Sequence, residues 1–111
     1  MFSDMPKAIV GDVEEYKSFE TFSITIPKNQ TSWTVPTNGM AKLIIADTYN
    51  SVTTSNTYAV IADATEATTK NLGTLAGINA RTTNFTETGV TFSGGAISTV
   101  NDYIFMGYIV Y

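Results

Sequence analysis

The chain has 111 residues, enough for one domain with a core of its own and too few for two. Its net charge is −4 with only 6 Lys and Arg, which excludes a phosphate-binding basic face and with it nucleic acid as a partner. It contains no Cys and no His, so disulfides, thiol chemistry, Ser-His or Cys-His nucleophiles and the usual zinc sites are excluded, and no residue pattern calls for a cofactor or a metal. Charged residues make up 14% against 43% apolar, and Thr leads a composition rich in Asn, Ser and Gly. Thr, Val, Ile, Tyr and Phe suit pleated, half-buried surfaces, so the fold class expected is all-β.

Residues 1–18 differ from the rest. They hold four of the 10 acids (Asp4, Asp12, Glu14, Glu15) and show no strand alternation. We read them as an arm or linker leading into a β-sandwich domain over residues 19–111. The early Asp4 and the lack of an apolar run argue against a signal peptide. No stretch is long and apolar enough for a membrane-spanning helix.

From Glu20 the pattern is clear: Phe22, Ile24 and Ile26 alternate with Thr21, Ser23 and Thr25, as in a half-buried strand. Pro27 to Gln30 is turn chemistry, and Thr31 to Val35 resumes alternation with Trp33 and Val35 on one side, so Trp33 is expected in the core. Pro36-Thr37-Asn38-Gly39 is the next turn, Asn-Gly being suited to positive φ. Met40 to Ala46 is an apolar run fit for a central strand. Asp47 to Asn56 reads as a polar loop, with Tyr49 and Asn50 placed to meet a ligand, and Thr57 to Ala62 as a strand. Ala64 to Gly77 reads as a long loop. Ile78 to Thr88 is a weaker strand carrying Arg81, the sole arginine, which could fork onto a carboxylate or a sugar or pair with Glu87 across a hairpin. Gly89 marks a turn into Val90-Thr91-Phe92, and Ala96 to Val100 reads as a short strand.

The chain closes on Asp102-Tyr-Ile-Phe-Met-Gly-Tyr-Ile-Val-Tyr111, a run without polar alternation that predicts a strand buried on both faces. Gly107 within it would let a neighbouring backbone or ring approach closely. Seven to nine short strands separated by turns predict an antiparallel β-sandwich, jelly-roll-like, with Phe22, Ile24, Ile26, Trp33, Leu43, Ile45, Val60 and Phe105 in its core. The final strand is rich in tyrosine, which suits interfaces because the ring buries while the hydroxyl finds a partner. Tyr103, Phe105, Tyr108 and Tyr111 are therefore candidates for contact between copies.

A Thr/Asn/Gly-rich β domain that ends on an aromatic strand resembles the globular heads of bacteriophage fibres and spikes. The segment Phe105 to Tyr111 is also similar to the closing strand of complement-like and tumour-necrosis-factor-like jelly rolls. The resemblance implies a homotrimer, a non-enzymatic structural role at a virion or extracellular surface, and a host surface glycan or a virion protein as partner. Tyr49, Asn50 and Arg81 are the residues we expect at such a ligand. Two rival readings are a free-standing carbohydrate-binding module, which needs an exposed aromatic row, and a small glycosidase or lyase, which needs two carboxylates facing one cleft.

Overall fold

The structure is a computed structural model that describes residues 18–53, 56–71 and 80–111. The arm expected over the first 18 residues lies, apart from Ser18, outside the described residues. Among the described residues there is no helix; eight strands form two packed antiparallel sheets, the β-sandwich that the composition predicts. They are β1 (Phe19–Ile26), β2 (Ser32–Pro36), β3 (Leu43–Asn50), β4 (Asn56–Asp63), β5 (Lys70–Asn71), β6 (Thr82–Thr86), β7 (Gly89–Ser93) and β8 (Tyr103–Val110). The larger sheet has the order β1-β8-β3-β4-β5 and the smaller one β2-β7-β6. The first strand thus pairs with the last and the second with the seventh, the nested wrapping of a jelly-roll-like sandwich.

Turn chemistry fixes the corners. Asn29 takes φ 67° in the β1–β2 turn, and Gly39 takes φ 106° after β2, where residues with a Cβ are disfavoured. The β6–β7 hairpin turns on Glu87 and Thr88, with the Thr86 hydroxyl accepting from the N–H groups of Thr88 and Gly89. Between the sheets lie Ile26, Trp33, Val35, Ile44, Ala46, Val60, Ala62, Val90, Phe92, Phe105 and Ile109. Phe105 of the larger sheet meets Trp33 and Phe92 of the smaller one edge-on at 5.8 and 5.1 Å between ring centres, tying the layers by the geometry that aromatic quadrupoles favour.

Four expectations are corrected. β8 is central, flanked by β1 and β3, yet only one of its faces is buried; Phe105 and Ile109 point inward while Met106 and Tyr108 point to solvent, because no third layer of the described residues covers the larger sheet. In β3 the phase is the reverse of that expected: Ile44, Ala46 and Thr48 face the core, and Leu43 and Ile45 face outward. β3 also runs on through Asp47 to Asn50, where a loop was expected, since both its neighbours continue to pair with it, with a bulge between Thr48 and Tyr49 against β4. Ala96 to Val100 is not a strand: the Ser98 hydroxyl accepts from the N–H groups of Val100 and Asn101, a side-chain-closed turn that competes with extended structure.

The two sides of the sandwich differ. On one, the connection after β4 bonds to the smaller sheet: Thr68 bridges Thr82, the Thr69 N–H donates to the Arg81 carbonyl, and the Thr83 N–H donates to the Ala67 carbonyl. On the other, the edges of β1 and β2 flank an open groove.

Candidate functional site: the outer face of the larger sheet

Alternation sends every second residue of each strand to the far side of its sheet. In β8 that set is Ile104, Met106, Tyr108 and Val110; in β3 it is Leu43, Ile45, Asp47 and Tyr49; in β1 it is Phe19, Thr21, Ser23 and Thr25. The β8 run and Leu43-Ile44-Ile45 of β3 are apolar at every position, so the outer face around Tyr108 is apolar, while Thr21, Ser23, Thr25 and Asp47 leave the rest of it polar. Phe19 is 61% exposed, Tyr108 48% and Met106 39%. Phe19, Ile45, Tyr108 and Val110 line a wide, wholly apolar depression of about 260 Å³. Phe19 and Tyr108 meet edge to face, 5.8 Å apart at 77°.

A second concavity, about 310 Å³, lies in the open groove between β1 and β2, lined by Glu20, Phe22, Ile24, Pro36, Asn38 and Ile109 among others. At its end the Tyr111 hydroxyl donates to Glu20 Oε1 and accepts from the Asn38 N–H at 2.8 Å. Burial raises the Tyr111 pKa above its ordinary value, and the Glu20 hydrogen bond and charge raise it further, against the opposing bond from Asn38.

The residues named from sequence do not converge. Tyr49 and Asn50 end β3, and Asn50 Oδ1 accepts from the N–H groups of Val52 and Thr53 at 2.9 and 3.3 Å, which commits its carboxamide oxygen to the turn. Arg81 belongs to the smaller sheet's side. It is 4% exposed, with its guanidinium carbon 5.6 Å above the Trp33 ring, and burial lowers its pKa. Gly94 makes this crossing possible, since a Cβ there would stand 2.9 Å from the Arg81 side chain. Arg81 therefore caps the aromatic core instead of forking onto a surface ligand or reaching Glu87. Arg81 Nε, Trp33 Nε1 and Thr83 Oγ1 are buried without a hydrogen-bond partner.

Of the four tyrosine-strand residues, Phe105 is fully buried within the domain and is corrected as a contact residue; Tyr103 packs partly against the core, Tyr111 is held by Glu20, and Tyr108 offers its ring to solvent. Sequence reasoning missed Phe19, Ile45 and Val110. Val110 lies in the closing apolar run and Ile45 in the run Leu43-Ile44-Ile45, both read as interior, whereas Phe19 has no local signal and reaches this area only through β1 pairing with β8.

Several acids are taken up locally. Asp63 Oδ1 accepts from the Thr65 N–H and hydroxyl, bonds that lower its pKa; Asp102 Oδ1 accepts from the Lys28 N–H at 2.9 Å; Glu66 lies 3.1 Å from Lys70. Among the described residues no three acids gather as metal ligands. Comparison with known proteins adds nothing on function: no family model, curated protein or solved structure matches the chain.

Proposed function

We propose that this chain is a non-enzymatic structural domain that works by protein–protein contact, copies associating through the outer face of the larger sheet. The carrying observation is the apolar area around Tyr108, Phe19, Met106, Ile45 and Val110. Burying exposed apolar surface stabilises association by about 25 cal/mol per Å² before the entropic cost of binding. The carbohydrate-module reading needs an exposed aromatic row, whereas the two exposed rings of this face, Phe19 and Tyr108, cross at 77° instead of lying side by side.

Sedimentation of the purified chain at tens of micromolar tests the proposal. The mass is expected above that of one chain, and Tyr108→Glu, which places a charge in the apolar area, is expected to lower it. A wild-type monomer throughout that range, or a glycan that binds and is lost with Tyr108→Ala, overturns the reading.

A further inference from the structure

A sheet edge carries a row of unpaired N–H and C=O groups, and proteins guard such rows with short strands, Pro, Lys, bulges or a covering segment. Three of the four edges here are guarded. β5 has two residues and carries Lys70; β6 is bonded across to residues 67–69; β2 is five residues long and ends in Pro36. Among the described residues β1 is the least guarded: eight residues, paired with β8 without a register shift, with no Pro, Lys or Arg, its single charge Glu20 bonded to the Tyr111 hydroxyl.

The Tyr111 N–H donates to the Ser18 carbonyl at 2.9 Å, so Ser18 is of the bonded type toward β8. Bonded and unbonded positions alternate in an antiparallel pair. The even residues therefore point their amides at β8, and Phe19, Thr21, Ser23 and Thr25 point theirs at the open edge. Beside that edge lies the groove of about 310 Å³ with Phe22, Ile24 and Ile109 along it. A strand added there needs apolar side chains at alternate positions to enter the groove and small polar ones on the other face. β1 has that pattern itself.

We infer that β1 pairs with β1 of a second copy, antiparallel about a two-fold axis at Ser23, joining the five strands of each copy into one continuous sheet. In this register Thr21 faces Thr25, Phe22 faces Ile24, and Glu20 faces Ile26. The inner faces stay on the same side, the Phe22 and Ile24 side chains of each copy enter the other's groove, and the one charge of the strand never meets its own copy. An isologous contact of this kind closes on itself as a dimer. Its symmetry is two-fold, distinct from the trimer that the resemblance implies, and it does not depend on the outer-face contact.

The test uses two double variants, since both threonines are exposed and replacing them leaves the core intact. Thr21→Lys with Thr25→Lys sets like charges opposite each other across the pair and is expected to raise the dimer dissociation constant about tenfold or more. Thr21→Lys with Thr25→Glu sets opposite charges there and is expected to retain wild-type affinity or better. Ser23→Cys, in a chain with no other cysteine, is expected to form a disulfide-linked dimer on mild oxidation, while Asn84→Cys on the smaller sheet's exposed face does so far more slowly. Two double variants of equal affinity, or linkage at position 23 no faster than at 84, overturn the inference. If the wild type still assembles in that event, the outer-face contact stands by itself. Linkage at position 23 together with a Tyr108→Glu chain of unchanged mass supports the edge and removes the face.

Discussion

Gly107 stands where two backbones of one sheet come closest. A Cβ at that position would lie 1.9 Å from the Ile45 carbonyl oxygen and 2.8 Å from the Ala46 Cα, neither of which can swing aside as a side-chain tip could. The close approach that its presence in an apolar run suggested is real, and the neighbour is β3 of the same chain. Gly107→Ala is expected to cost ~3 kcal/mol or more, read as a lower denaturant midpoint at an unchanged slope. Tyr111 gives a pH-dependent counterpart. Its folded pKa is raised, so the folded chain keeps the phenol proton at pH values where the unfolded chain has lost it. The stability this adds is fully present below the unfolded pKa, about 10, and is lost as pH rises through the folded value. Tyr111→Phe is expected to lower stability at neutral pH by about 1 kcal/mol through the lost hydrogen bonds, and to flatten the alkaline decline of the melting temperature.

Among elements, β8 binds the layers together, and Phe105 is the residue through which it does so. Its ring touches Phe22 on its own sheet and Trp33 and Phe92 on the other. Phe105→Ala is expected to cost about 4 kcal/mol in denaturant unfolding, at the level of large aromatic deletions. β1 and β2 were legible in the sequence because one face of each is polar, so alternation shows both the strand and its phase. β3 was legible as a strand but not in phase: Leu43-Ile44-Ile45 is apolar at every position, and nothing local tells an inward Ile44 from an outward Ile45. The continuation of β3 through Asp47-Thr48-Tyr49-Asn50 was hidden for the opposite reason. Its polar residues look like a loop, and only pairing with β4 and β8 holds them extended, with Thr48 fully buried.

For the molecule as a whole, the aromatic closing strand pointed to the sheet whose outer face carries the exposed apolar area, but not to every residue of that area. Tyr108 could be named from sequence because an interface tyrosine is chemically plausible anywhere along β8. Phe19 could not, because its place beside Tyr108 follows from β1 pairing with β8, a contact between opposite ends of the domain. Arg81 was misread for the same reason: its neighbour Trp33 is distant in sequence and is reached only through the gap that Gly94 leaves.

The nested pairing of first strand with last also sets an order in time. On the ribosome β1 and β3 emerge early, yet the strand that belongs between them is the last of the eight to be made. At roughly 5–20 residues per second, both wait several seconds with their β8-facing sides unpaired. Closure then requires β8 to slot between two strands at once, a step dominated by long-range contacts. Refolding of the purified chain is therefore expected in the slow range for small domains, about milliseconds to seconds, and a chain lacking residues 103–111 is expected to stay unfolded by near-ultraviolet circular dichroism. Until that final insertion, the sides of β1 and β3 that will face β8 are open edges, and nascent chains crowded on one message are most prone to pair with each other during that interval.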